Sequence, residues 1–257
     1  MKYPDTKGHW AESAIDLVTR WGLMEGYPDG TFGPDEPVTR AQFAKVLRRV
    51  MDSIPANRLI QQSMPGVTYI ISTFEEGMGI GSGFWVAPWI ILTNAHVVSR
   101  RDLTEAARVD VFGDPNAGWS PMDACSADVM DIWHEFDLAL LAVHPPYYPI
   151  EPHVLKISEE EPVVGDLVWA LGHPFGDPFD ACSGTIRHRM RGINYWQRVQ
   201  QMKSLAVPIN PGNSGGPILN TRGEVVGVSA AGRSGSNLYT FAIPQEHIRQ
   251  VLRSNGL

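Results

Sequence analysis

Apolar and polar positions recur on two different periods along this chain. Over residues 9–24, HWAESAIDLVTRWGLM, the residues Trp10, Ala14, Leu17, Val18 and Trp21 fall at i, i+4, i+7, i+8 and i+11, the stripe of an amphipathic helix. A second stripe, Phe43, Val46, Leu47 and Val50, follows Thr39-Arg40-Ala41-Gln42, a capping-box pattern that predicts another helix starting there. Between the two lies GYPDGTFGPDEPVTR, residues 26–40, dense in glycine and proline. Flexible linkers carry neither phased stripes nor caps, so residues 1–52 are expected to form a helix-loop-helix module with an ordered loop. The pattern then dissolves at Pro55, Asn57, Gln61, Gln62 and Pro65, and residues 53–66 read as a connection with room for a short helix.

From Val67 the period shortens. VTYIIST, GSGFWVA, IILTNAHVV, ARVDVFG, DLALLAV, DLVWALG, GEVVGVS and LYTFAIP are short apolar runs separated by Gly, Pro, Asn and Asp. Many short strands at frequent turns predict a mainly β domain over 67–257, a sandwich or barrel, rather than alternating β-α units. Its last segment, PQEHIRQVLRSNGL, reads as a closing helix with Ile248, Val251 and Leu252 on one face. The most apolar run, FWVAPWIIL at 84–92, contains Pro88 and is far shorter than the ~20 residues a bilayer requires, so no transmembrane segment is expected.

Composition narrows the function classes. Hydrophobic residues make up 43% and charged residues 19% of 257, the balance of a chain with a packed core. A net charge of −7 and a pI of about 5.6 argue against a nucleic-acid partner, which needs clustered Lys and Arg. Cys125 and Cys182 read as two unpaired core thiols. The histidines at 9, 134, 144, 153, 173, 188 and 247 match no zinc-ligand spacing, and neither a metal nor another cofactor is expected.

Three segments carry chemistry: TNAH (93–96), FDLALL (136–141) and NPGNSGGP (210–217). A serine hydroxyl is protonated at neutral pH and needs a base to take its proton and a carboxylate to orient that base. His96, Asp137 and Ser214 supply one of each. A serine in a glycine-rich turn is by itself only a turn, but here His96 closes one apolar strand, Asp137 opens another and Ser214 precedes a third. The order His, Asp, Ser favours a chymotrypsin-like double barrel over an α/β-hydrolase, whose G-x-S-x-G elbow opens a helix; Pro217 and the strand-like residues after it do not.

The stretches GIGSGFWV, ILTNAHVV, FDLALLAV, GHPFG, INPGNSGGPILNTRGEVVGV and FAIP resemble the HtrA branch of trypsin-like serine proteases over about residues 67–252. The resemblance implies two six-stranded antiparallel β-barrels, with His96 as general base and acid, Asp137 orienting it and Ser214 attacking a peptide carbonyl. It also implies an oxyanion hole from the N–H groups of Gly212 and Ser214, with polypeptides as substrates. Asn213 stands where blood- and gut-type relatives have an Asp that pairs with a new N-terminal amine, so activation by N-terminal cleavage is not expected; mobile loops at 187–207 and 230–238 would instead order on binding. Members often carry an Asp where this chain has Ala206, which weakens the expectation of loop regulation more than that of the triad. Aligned from Ser214, the specificity pocket ends near Pro208 without an acid, which implies a small or aliphatic residue on the acyl side. Most members carry a PDZ domain after the protease, and none is expected before Leu257.

Residues 10–50 closely resemble one S-layer homology (SLH) repeat, a module that holds proteins to anionic polysaccharide of bacterial cell walls. By motif position Arg40 is the candidate carboxylate binder, with Trp10, Asp29 and Gly30 as neighbours. SLH repeats commonly occur in threes and HtrA-type domains commonly trimerise, so a homotrimer would gather three single modules. The resemblance implies a bacterial surface or extracellular location. The N-terminus MKYPDTKGHW lacks the apolar core of a secretory signal and leaves a cytoplasmic location as the alternative. Two rival readings stand beside the endopeptidase: a surface protein using the fold only to bind, and an esterase with the same triad.

Overall fold

The computed structural model describes every residue except 1–2, 21, 54, 101, 114–123, 146–150, 177–178, 196–197 and 234–235. The chain divides into two compact units, Met1–Arg58 and Leu59–Leu257.

In the first unit, helices α1 (Glu12–Arg20) and α2 (Arg40–Ser53) flank the glycine- and proline-rich loop. That loop is ordered by short-range hydrogen bonds. Gly30 N donates to Tyr27 O at 3.0 Å and Tyr27 N to Thr31 O at 2.7 Å, and Gly30 takes φ 88, a value that favours glycine. Asp29 accepts from both the N–H and the hydroxyl of Thr31, and the hydroxyl bond foremost holds its carboxyl below the usual carboxylate range. Asp5 ties the loop back by accepting from Phe32 N and Gly33 N at 2.8–3.0 Å. Buried Tyr3 packs its ring at a tilt against Phe32 and receives Gly26 N on its hydroxyl; a Cβ on Gly26 would lie 2.4 Å from the Tyr3 ring. The capping box forms reciprocally, with Gln42 N on Thr39 Oγ1 and Thr39 N on Gln42 Oε1.

The helical stripe is placed differently from expectation. The buried residue of α1 is Ile15, whereas Trp10 is 88% exposed and Leu17 is also exposed, as are Phe43 and Leu47 of α2. Trp21 lies outside the described residues. A unit this small has too little interior to cover both flanks of its helices. Helix α3 (Pro55–Ser63) and a 3-10 turn at Met64–Gly66 occupy the segment expected to connect the two parts.

The second unit is mainly β: two closed six-stranded antiparallel barrels. Barrel one is built from β1 (Val67–Phe74), β2 (Gly77–Ala87), β3 (Ile90–Thr93), β4 (Arg108–Phe112), β5 (Cys125–Trp133) and β6 (Leu138–Val143), in the order β1-β2-β3-β6-β5-β4. Barrel two contains β7 (Leu167–Gly172), β8 (Asp180–Tyr195), β9 (Arg198–Leu205), β10 (Pro217–Leu219), β11 (Val225–Arg233) and β12 (Ser236–Pro244), in the order β10-β11-β12-β9-β8-β7. The two short helices are α4 (Ala95–Val98) and α5 (Gln245–Ser254). Inward positions fill each barrel: Ile70, Trp85, Ile91, Val111 and Leu141 in the first, Val168, Ile186, Leu205, Ile218 and Val226 in the second. Ile248, Val251 and Leu252 of α5 are buried, as the sequence pattern predicts.

Residues 187–207, expected as a mobile loop, instead lie largely in the paired strands β8 and β9, and residues 230–233 and 236–238 fall in β11 and β12. Cys125 is buried and Cys182 half-buried. Among the described residues no helix is long and apolar enough to cross a membrane.

An ionic knot closes the turn between β10 and β11. Glu224 accepts from Lys156 Nζ at 2.7 Å, Asn220 Nδ2 at 3.1 Å and Arg222 Nε at 2.9 Å; Lys156 foremost, then Asn220 and Arg222, pull its pKa from 4.5 to about 2 despite desolvation. A carboxyl depressed by folding stabilises the fold above its unfolded pKa and loses that contribution as pH falls from about 4.5 through about 2. Glu224→Gln is therefore expected to lower the thermal midpoint near neutral pH and to converge with wild type near pH 2, measured by scanning calorimetry across that window.

Candidate active site

Strand register brings His96 and Asp137 together. β3 and β6 run antiparallel with Thr93 opposite Ala139, so the residues just beyond Thr93 and just before Ala139 meet at one end of the pair. The single turn of α4 buries Ala95, Val97 and Val98, leaving His96 to face outward. His96 Nδ1 lies 2.8 Å from Asp137 Oδ2, and His96 N donates to Asp137 Oδ1 at 3.0 Å. Asp137 is only 3% exposed and adopts φ 55, a left-handed conformation that Asp tolerates better than most residues. Asn94 Nδ2 donates to Asp137 O at 2.9 Å and pins that backbone. Phe136 stacks on His247 of α5, with ring centroids 4.4 Å apart and planes at 15°, so the loop before Asp137 also rests on the closing helix.

Ser214 reaches the same seam from barrel two. Its loop is sewn to β11 by Gly215 N to Ser229 O and Ser229 N to Gly216 O, both 2.8 Å, and to β2 by Ser82 N to Ser214 O at 2.8 Å. The Ser214 hydroxyl donates to Ala230 O at 3.3 Å. Gly215 takes φ 87, and a Cβ there would lie 2.1 Å from Ser82 O and 2.3 Å from Thr93 Oγ1, on the segment leading into His96. The close approach of the two barrels behind the nucleophile loop thus depends on a residue with no side chain. Gly212, at φ 102, has His173 O where a Cβ would stand. Among the described residues, the N–H groups of Asn213, Gly215 and Gly216 donate within the loop or to β11, whereas those of Gly212 and Ser214 have no acceptor.

Beside His96 an open cavity of about 530 Å³ is built from barrel-one residues Phe74, Met78, Gly79, Ser99, Arg100 and Asp102. The Arg100 guanidinium lies 4.7 Å from the centroid of the Phe74 ring and donates to Glu76 O. Pro208, expected at the base of the acyl-side pocket, is half-buried next to fully buried Val207.

The candidate wall-binding residues lie in the first unit and are not gathered in either of two cavities there. Arg40 is exposed as the first residue of α2. Trp10 edges a cavity with His9, Glu12, Ser13 and Asp16, while the cavity lined by Leu23, Tyr27, Phe32, Val46 and Arg49 contains none of the four candidates. Asp29 and Gly30 serve the turn directly.

Sequence reasoning missed Ser82, Thr93 and Asn94, whose side chains position the chemistry from behind. The available signal was local: Ser82 stands between Gly81 and Gly83, where added Cβ atoms would lie 2.6 Å from Val97 and Ile91 respectively.

Paired closed barrels with a His-Asp pair on one and a serine in a glycine-lined turn on the other define the chymotrypsin-like class of hydrolase folds. The sequence profile of the trypsin-like peptidase domain matches residues 81–228, and the chain belongs to that family. The S-layer homology domain profile matches residues 2–44. The protease part is HtrA-like. It is 33% identical to a probable periplasmic serine endoprotease DegP-like of Ectopseudomonas mendocina, over 71% of this chain and 37% of that one. It is 28% identical to Protease Do-like 1, chloroplastic, of Arabidopsis thaliana, over 78% of this chain and 47% of that one. The chain thus spans less than half the length of these relatives. Among solved structures, the Rv3671c protease of M. tuberculosis in its active form superposes with a TM-score of 0.66 at 24% identity, covering 78% of this chain and 85% of that one, which supports the fold.

Gly215→Ala is expected to cost at least about 1–3 kcal/mol, the range for a side chain forced into this backbone conformation, before the clash with Ser82 O is added. Urea unfolding of the variant against wild type checks it.

Proposed function

We propose that this chain is a serine endopeptidase acting on unfolded or exposed polypeptide, held by its N-terminal module to anionic polysaccharide of a bacterial cell wall. The observation that carries the catalytic part is the His96–Asp137 pair at 2.8 Å, aligned by two backbone contacts, across a seam from a serine whose own N–H, like that of Gly212, has no acceptor among the described residues.

The chemistry follows from that arrangement. Asp137 accepts the Nδ1 proton of His96, which leaves Nε2 as the base. Rotation about the Ser214 Cα–Cβ bond releases its hydroxyl from Ala230 O toward that nitrogen. As Ser214 Oγ bonds to the substrate carbonyl carbon, its proton passes to His96 and the carbonyl oxygen gains negative charge. The N–H groups of Gly212 and Ser214 receive that oxyanion, a contribution worth about 10²–10³-fold per donor. The imidazolium, stabilised by the buried Asp137 carboxylate, gives its proton to the departing amine as the C–N bond breaks. Water then repeats the sequence on the acyl-enzyme, freeing the acid and restoring Ser214. The departing peptide must lie where His96 can protonate it, and the cavity of Phe74, Met78 and Arg100 beside His96 suits that leaving segment.

For the wall-binding part, the SLH profile match and the placement of Arg40 support the reading. An arginine in the first turn of a helix sits at the positive end of the helix dipole, where a cation is disfavoured. A carboxylate ligand offsets that cost, and a guanidinium can grip it through two parallel hydrogen bonds. Exposed Phe43 and Leu47 on α2 are consistent with modules gathered by a homotrimer, at a cell-surface or extracellular location.

A fluorophosphonate probe is expected to label wild type and not Ser214→Ala, and denatured casein to be cut by wild type alone. His96→Ala is expected to lower kcat/KM by at least about 10²–10⁴-fold. Turnover of a simple ester with casein left intact would point to the esterase, and no labelling at all to a non-catalytic binder.

Co-sedimentation with purified wall polysaccharide is expected to be lost in Arg40→Ala and kept in Ser214→Ala. Arg40→Lys, which keeps charge but not the planar fork, is expected to bind more weakly than wild type. Light scattering that gives a monomer at working concentration would remove the trimer from the proposal.

A further inference from the structure

Ser82, buried in β2 of barrel one, has every polar atom engaged, its N–H and hydroxyl at the nucleophile loop of barrel two and its carbonyl within barrel one. It is fully buried. Its N–H donates to Ser214 O at 2.8 Å, its carbonyl accepts from Thr93 Oγ1 at 2.7 Å, and its hydroxyl donates to Gly212 O at 2.8 Å. The same hydroxyl oxygen accepts from His173 N at 3.0 Å, which commits its own hydrogen to Gly212 O. One residue therefore holds the carbonyls of both Gly212 and Ser214.

These contacts matter because of how the loop distributes its peptide groups. Pro211 O accepts from Phe175 N at 2.7 Å, Gly212 O from Ser82 Oγ, Asn213 O from Gly216 N at 3.0 Å, and Ser214 O from Ser82 N. Every carbonyl from Pro211 to Ser214 is thus engaged. A trans peptide points its N–H opposite its C=O, so holding Pro211 O and Asn213 O sets the directions of the Gly212 and Ser214 N–H groups. The peptide between those two units, Gly212 to Asn213, decides whether the two N–H groups converge. Its leading residue is a glycine at φ 102, whose backbone has little steric restraint of its own. Its carbonyl is restrained by the Ser82 hydroxyl, and its N–H by Asn210 O at 3.0 Å. Of these two contacts, only the one to Ser82 comes from the other barrel. Gly172 leaves the room for it, since a Cβ there would lie 2.9 Å from Ser82 Oγ.

We infer that Ser82 is the positioning residue of the oxyanion hole: its hydroxyl, oriented by His173 N, locks the Gly212–Asn213 peptide so that the N–H groups of Gly212 and Ser214 face one point. Ser82 does not touch substrate and acts through Gly212. The inference rests on the proposed triad chemistry.

The test uses the full chain with Ser82→Ala and wild type, each confirmed folded by its thermal midpoint. Loss of the hydroxyl is expected to reduce kcat about 10²-fold with little change in KM, because the hole is used in the transition state and hardly in the ground state. A ¹³C-carbonyl-labelled peptide chloromethyl ketone forms a hemiketal with Ser214, and ¹³C NMR reads the pKa at which that hemiketal becomes an oxyanion. A positioned hole lowers that pKa; in Ser82→Ala it is expected to rise, a shift that loss of stability alone does not produce. Should the alanine variant fail to fold, Ser82→Cys fills the site with a slightly larger, weaker donor and is expected to move both readouts in the same direction. An unchanged kcat and hemiketal pKa in a folded variant overturn the role of Ser82 alone. A wild type that forms no adduct and takes no fluorophosphonate overturns the triad reading itself, and this inference with it.

Discussion

A carboxylate cannot be taken out of water without donors or a cation to receive it, and Asp137 is almost wholly buried. It finds them in the N–H and Nδ1 of His96, while Asn94 holds its backbone. That requirement reaches well beyond two side chains. It needs β3 and β6 in one particular register, because a slip of one residue would turn every inward side chain of either strand outward and carry His96 away from Asp137. It also holds Asp137 at a positive φ, a conformation sustained only when surrounding contacts outweigh its cost. The bonds from Asn94 and His96 supply such contacts.

The second constraint is the approach of barrel two. A nucleophile loop that must present N–H groups outward has to satisfy its carbonyls inward, and here they are received by backbone of its own barrel and by one buried serine from the other. Such proximity leaves no room for side chains at Gly172 and Gly215, which face barrel-one atoms, and packing within barrel two leaves none at Gly212 and Gly216; each has another atom within 3 Å of where a Cβ would stand. The glycine-rich texture of NPGNSGGP is therefore a packing demand as much as a conformational one. The N-terminal unit solves its folding problem by a different route. With few buried side chains, it relies on turn chemistry: the Asp29–Thr31 bonds, the Asp5 carboxylate on Phe32 and Gly33, and the Thr39–Gln42 cap. Apolar surface on α2 stays exposed as a result.

Much of this was readable from local pattern. Strands with a strong apolar face, such as β1, β3, β6 and β7, stood out because they combine β-branched or aliphatic runs with turn residues at their ends. β5 carries no strong apolar face, since only Cys125 and Ala127 are buried and the rest of CSADVMDIW is half-buried or exposed. Residues 187–195 of β8 read as a loop by composition because RHRMRG carries no alternating apolar pattern, and their strand character comes from pairing with β9. In the first unit the helical period was legible, but the choice of face was not: Ile15 points inward while Trp10 and Leu17 stay exposed.

The sequence by itself determined the residue types the chemistry needs, their order along the chain, the turn and cap signals, and the two textures that separate a helical module from a β domain. These are local properties, encoded in period and in residues with special backbone freedom. What only the tertiary structure decided is which distant atoms meet. Ser82 and Gly212 are 130 residues apart, and no period or propensity links a serine in β2 to a carbonyl in the nucleophile loop. Their contact exists because two barrels close and then press together, so its geometry is a property of register and packing that no short stretch of sequence contains.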